Sequence, residues 1–151
     1  MRQGVLTAIV AVALMAALAG AAQADIRFKG TSGQGRTVNF RTNDAGLMER
    51  FAIAWRGDCR RPGYSYVSGT KTTPRSPLEV STRNRWLDVG GYRERLRGRR
   101  LAIYRARAVG RRVSEHRWRG VFRITVRVFR RGRQIDRCHV RTRWRVRRLP
   151  G

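Results

Sequence analysis

Apolar and polar residues alternate along much of the chain after residue 25, and the alternation is strictest near its end. From Arg137 to Arg147, Cys138, Val140, Thr142, Trp144 and Val146 form one set, and Arg137, His139, Arg141, Arg143, Arg145 and Arg147 form the other. Successive side chains of a strand point to opposite faces of a sheet. Such alternation therefore predicts a half-buried strand, with one face in the core and the other a ladder of guanidinium groups.

The same reading runs back along the chain. Ile26 and Phe28 alternate with Arg27 and Lys29, and the run breaks at the glycine-rich stretch from Gly30 to Gly35. That stretch reads as a turn, because a phosphate-cradling loop opens a helix and usually carries a lysine, and neither is present. Val38 and Phe40, then Phe51, Ile53 and Trp55, read as a hairpin through Asn43 to Gly46. From Tyr64 to Pro77 the chain is rich in Ser, Thr and Gly, which predicts a long loop with at most an edge strand at Tyr64 to Val67. Tyr64, Tyr66 and Lys71 make a candidate rim there. Leu78 and Val80 begin another strand, and Trp86, Leu87 and Val89 precede a turn at Gly90-Gly91. Strands at Tyr92 to Leu96 and at Leu101 to Tyr104 follow, and Val113 to Val128 carries Trp118, Phe122, Ile124, Val126 and Val128. No segment has sustained helical periodicity. The expectation is an all-β fold, an antiparallel β-sandwich of about eight strands. Its core anchors are Phe40, Ile53, Trp55, Phe122, Ile124, Val126 and Trp144.

The last hairpin can be registered, because core faces must match across the pair. Val126 opposite Cys138 places Ile124 against Val140 and Phe122 against Thr142, leaving Arg127, Arg123 and Arg119 opposite Arg137, Arg141 and Arg145. A slip of one residue would turn one strand's core set outward, so the turn is expected to be Arg131-Gly132-Arg133, with a bulge. This register stacks arginine on arginine, and directly opposed like charges are destabilising. Local conflicts of that kind concentrate at functional sites.

Charge sharpens the picture. The 151 residues carry 35 basic and 9 acidic side chains, a net charge of +26, and only Lys29 and Lys71 are lysine. Such a charge attracts any polyanion. Arginine is also the side chain suited to bidentate contact with phosphate or carboxylate, although its spread over the whole chain is also what compositional drift in a GC-rich genome would give. The N-terminus reads as an export signal at residues 1–24: Arg2, the apolar stretch Val5 to Leu18, and Ala22-Gln23-Ala24 before a mature start at Asp25. A retained anchor is the alternative, but the stretch is short of the ~20 apolar residues a spanning helix needs. Residues 25–151 then form a single secreted or cell-envelope domain. In such a compartment Cys59 and Cys138, the only cysteines, are expected to pair as a disulfide.

The candidate chemistry is a polyanion-binding face of Arg119, Arg123, Arg127, Arg141, Arg143 and Arg145. Residues two apart on a strand lie about 6.8 Å apart on one face, near the charge spacing of an extended phosphate polymer. Trp118 and Tyr104 are candidate stacking surfaces beside it. The partners expected are an anionic cell-envelope polymer such as teichoic acid, an acidic polysaccharide, a nucleic acid or an anionic lipid. The rival readings are a solvated face on a secreted structural module and a small basic nuclease using His116 and His139. The register puts His139 opposite Thr125, which does not bring the two histidines together. No zinc-binding spacing, nucleophile elbow or cofactor motif is present, so the reading is non-enzymatic, with no metal or cofactor.

In Phe28, Gly30, Gln34 and Gly35 at its start, Cys59, the later Gly120 and Phe122, and the closing Cys138, Trp144 and Arg147, the chain resembles a family of small exported β-domain proteins of high-GC Gram-positive (actinobacterial) bacteria. It departs from that pattern at Val140 and Arg141, where a glycine and a wider Cys-to-Trp spacing are usual. The resemblance implies a β-sandwich with a disulfide and implies no activity.

Overall fold

The computed structural model describes residues 25–74 and 78–150. The export signal read at 1–24 lies outside them. Eight strands follow in order: β1 (Ile26–Ser32), β2 (Thr37–Thr42), β3 (Met48–Cys59), β4 (Ser65–Thr72), β5 (Arg85–Leu96), β6 (Arg100–Ser114), β7 (Arg117–Arg130) and β8 (Arg133–Arg148). They hydrogen-bond into one antiparallel sheet in the order β4-β3-β2-β1-β8-β7-β6-β5. The fold is therefore all-β with eight antiparallel strands, and both layers of the expected sandwich belong to one sheet folded over on itself.

β8 is the strand the two layers share. One of its edges pairs with β7 throughout, while the other pairs with β1 from Trp144 to Arg148 and with β3 at Cys138 and His139. At that second junction Cys59 lies directly opposite Cys138, and the two are disulfide-bonded across 79 positions of sequence. Closing so long a loop restricts the unfolded chain by about 4–5 kcal/mol in the chain-entropy account.

The folded-over sheet encloses one aromatic core. Phe40 of β2 stacks on Trp86 of β5 at 5.7 Å, and Phe51 of β3 meets Trp144 of β8 at 5.1 Å. All seven anchors expected from the sequence are buried. At its centre one cross-strand row reads Trp86, Gly110, Gly120, Trp144. The two indoles stack at 5.9 Å over the two glycines. A β-carbon at Gly120 would overlap the Val109 carbonyl and lie 2.5 Å from the Trp144 ring, and one at Gly110 would overlap the Trp86 indole. Large and small residues thus interlock along the row, as close-packed interiors require.

Four expectations are corrected. The stretch after Tyr64 is not all loop, since β4 runs to Thr72. Its inward positions include Ser68 and Thr70, which gave no apolar alternation, and Thr70 accepts a 3.0 Å hydrogen bond from the Trp55 indole N–H. Leu78 makes a single bridge to Met48 and begins no strand. Gly90-Gly91 is no turn but the middle of β5, where a β-carbon on Gly91 would come within 2.6 Å of the Tyr104 carbonyl oxygen. The last hairpin has the expected register over Trp118–Val128, but its turn is the two residues Arg131-Gly132, both with positive φ (50° and 77°). Such a primed turn matches the twist of the strands. The residue that restores face matching is Ile135, bulged between the Val128–Asp136 and Phe129–Gln134 pairs.

The edge strands β4 and β5 are linked by side chains through Tyr104 of β6. The Tyr66 and Tyr104 hydroxyls lie 2.6 Å apart, Tyr104 donates to a Glu94 carboxylate oxygen at 2.6 Å, and the Tyr92 ring stacks on Tyr104 at 4.1 Å. Burial, then the hydrogen bonds to Glu94 and Tyr66, push the Tyr104 hydroxyl far above the ordinary tyrosine range.

Candidate anion-binding face

Residues directly opposite one another in a sheet share a face, so the pairing of β5 to β8 lays out their outer surface in rows. One row reads Arg85, Arg111, Arg119, Arg145 and continues to Thr31 of β1. A second reads Val89, Arg107, Arg123, Arg141. Within a row, neighbours stand on strands about 4.8 Å apart. Corresponding members such as Arg119 and Arg123 are four residues apart on one strand, which separates the rows by about 13 Å. The arginines of both rows are exposed.

Between the two rows lies a third, made of Leu87, Val109 and Val121 and ending at Arg143. A trough of about 560 Å³ runs along its Val109, Val121 and Arg143 part, flanked by Arg85, Arg111, Arg119 and Arg145, and reaches Thr31 and Gly33 of the β1 end; Leu87 lies just beyond its lining. A smaller hollow of about 200 Å³ adjoins it, with Arg107 and Arg123 on its far side and Arg85, Val109 and Val121 in common.

Neither row contains a carboxylate. Among the described residues Arg41 pairs with Asp25 and Glu49, and Arg148 with Glu115, all outside these rows. Guanidinium groups donate hydrogen bonds and accept none, so the rows cannot satisfy one another. They present opposed like charges to solvent.

Five of the six arginines expected from the sequence fall into this pattern: Arg119 and Arg145 in one row, Arg123 and Arg141 in the other, and Arg143 at the end of the apolar row between them. Arg127 lies on the same outer face four residues beyond Arg123, in a further row with Arg93, Ile103 and Arg137. It is half-buried between Ile103 and Arg137, with its guanidinium 5.8 Å from the Phe129 ring. Arg85, Arg107 and Arg111 were missed. The last two are legible in hindsight, since Arg105, Arg107, Val109 and Arg111 alternate with Ala106, Ala108 and Gly110.

The expected stacking surfaces are corrected. Trp118 and Tyr104 point inward and are only 2% and 1% exposed, so neither offers a ring to a ligand. The rim of Tyr64, Tyr66 and Lys71 does not assemble either: Tyr66 packs against the core, while Tyr64 lies under the Arg61 guanidinium at 4.3 Å. His139 sits between Thr125 and Asp58, as the register predicted on its β7 side. His116 is in the β6–β7 turn, where its carbonyl accepts from the Arg148 amide. Nine strand residues separate His139 from Arg148, so the two imidazoles lie roughly 30 Å apart and do not form an acid–base pair. Cys59, Cys138 and Asp136 cluster closely, but both sulfurs are spent in the disulfide, and the Asp136 carboxylate accepts from the Arg137 amide at 2.7 Å.

Compared with protein-family models, curated proteins and solved structures, the chain matches none of them.

Proposed function

We propose that this chain is a non-enzymatic secreted or cell-envelope protein that binds anionic polymers or surfaces through the outer face of β5 to β8. The observation that carries the reading is the pair of cross-strand arginine rows with no carboxylate among them. A fold that sets three or four guanidinium groups side by side gives up stability to repulsion, and an anion laid along the rows restores it. Phosphate and carboxylate are the groups that match the planar fork of arginine. With no exposed ring among the rows, the face lacks the stacking platforms by which single-stranded nucleic acid is usually held. Acidic polysaccharide, teichoic acid-like polymer and anionic lipid fit it better.

The test is binding of the oxidised protein to a panel of anionic polymers over a salt series, since any chain this basic binds polyanions at low salt. Serine at Arg123, Arg141 and Arg145 is compared with serine at Arg36, Arg50 and Arg56, which removes the same charge elsewhere. At physiological salt the face variant is expected to lose at least about tenfold more affinity than the control. Equal losses would leave only net charge acting and reduce the chain to a structural module.

A further inference from the structure

The apolar row is not needed for a polyanion site. Arginine on every outward position would hold a polymer better, yet Leu87, Val109 and Val121 occupy consecutive cross-strand positions between the two cationic rows. Leu87 is half exposed, and the two valines are partly exposed. The row is also polar in the sense of direction. On the β8 side it runs into Arg143, with Arg119 and Arg145 beside it, while Arg111 and Arg85 flank the same trough toward β5. On the β5 side it meets the free edge of the sheet, where no strand follows.

We infer that the trough holds a single amphiphilic anion, an alkyl chain ending in a phosphate. The inference rests on the anion-binding reading of this face and gives it a ligand class. The headgroup sits at Arg143, Arg119 and Arg145, and the chain lies over Val121, Val109 and Leu87 before leaving across the β5 edge. Two inter-strand steps make the apolar floor about 10 Å long, so contact saturates with a chain of moderate length and the remainder projects past Leu87. The stems of the flanking arginines wall the chain on both sides while their charged ends stay in water.

The experiment is calorimetric titration of the oxidised full-length fold with ethyl, octyl and dodecyl phosphate, at physiological salt and below the concentration at which each self-associates. Affinity is expected to rise at least about tenfold from ethyl to octyl phosphate and to change little from octyl to dodecyl. Threonine at Val109 and Val121, nearly isosteric and on the outer face, should abolish that rise and leave inorganic polyphosphate binding unchanged. Serine at Arg143 should weaken all three alkyl phosphates. A wild-type affinity independent of chain length overturns the inference without any variant. So does binding to anionic phospholipid vesicles with none to the monomeric alkyl phosphates, which would make the face a reader of surfaces. The two levels separate cleanly. If chain length is without effect but polyphosphate binding still falls on substitution of Arg123, Arg141 and Arg145, only the amphiphile fails. If polyphosphate binding is also indifferent to those arginines, the anion-binding reading fails with it.

Discussion

Two rows of side chains lie one residue apart on the same four strands and are built on opposite principles. Inside, Trp86, Gly110, Gly120 and Trp144 alternate large and small so that two indoles share the space the glycines leave. Outside, Arg85, Arg111, Arg119 and Arg145 are alike, long and similarly charged. The inner row is complementary in shape within itself, although among the described residues neither indole N–H finds an acceptor. Among the described residues the outer row has no carboxylate in line with it. The protein's own packing therefore accounts for the first row, and the proposed anion is what would complement the second.

The comparison is broken most severely from the inner side. Alanine at Gly120 would put a β-carbon into the Val109 carbonyl and the Trp144 ring. Backbone on one side and a buried indole on the other leave little room to relax, so a loss of about 3 kcal/mol is expected, at the upper end for overpacking. Chemical denaturation of the oxidised protein measures it. A loss near zero would mean that the paired indoles can be rearranged at little cost.

The seam between β4 and β5 is a third kind of contact, polar and partly buried, and ranks next. Phenylalanine at Tyr104 leaves the Tyr66 hydroxyl and the Glu94 carboxylate without their shared partner. The expected loss is about 1–2 kcal/mol. The pH dependence identifies its origin. Below the ordinary tyrosine value of 10.0, folded and unfolded chains both hold the Tyr104 proton, and the group adds no slope. Above it the unfolded chain ionises while the folded one does not, so stability falls as pH rises past 10.0. In Tyr104→Phe that alkaline decline should be shallower. Tyr92, whose hydroxyl burial also raises, supplies the remainder.

How far the sequence went depended on how local the information was. The register of β7 on β8 was legible because apolar residues, interrupted by Gly120 and Thr142, fill one face of both strands. Its turn was misjudged because a bulge at Ile135 restores the same face matching as a longer loop, and alternation alone does not distinguish them. β4 was nearly invisible beyond Tyr66, since its remaining inner positions are Ser68, Thr70 and Thr72, and Thr70 is tied to Trp55, far away in sequence. Five of the eight arginines of the surface were visible in the last hairpin, where the ladder is continuous. Arg107 and Arg111 show the same alternation on β6, but Arg85 was hidden, because it becomes a neighbour of Arg111 only through the β5–β6 pairing and the glycines inside β5 mimic a turn. Trp118 and Tyr104 were read as surface rings by their nearness to arginine in sequence, whereas strand parity turns them inward.

The smallest effect is the most discriminating, because its sign separates a structural row from a binding one. Threonine at Arg119 removes the charge between Arg111 and Arg145 and keeps a residue suited to a strand. If the outer row is complementary only to an external anion, the variant should be more stable than the parent by about 0.2–1 kcal/mol at low salt, the range for relieving a directly opposed like-charge pair. The gain should fade as the Debye length shortens from ~30 Å at 0.01 M to ~3 Å at 1 M ionic strength. Anion affinity should fall in the same variant. Thermal melts at the two ionic strengths, run with and without polyphosphate, read both quantities from one sample. A variant less stable than the parent at low salt would mean that the Arg119 stem packs over Val121 strongly enough to outweigh its charge. The outer row would then belong to the fold as the inner one does. A variant more stable alone and less stabilised by polyphosphate is the signature of a residue kept for its ligand at the expense of the fold.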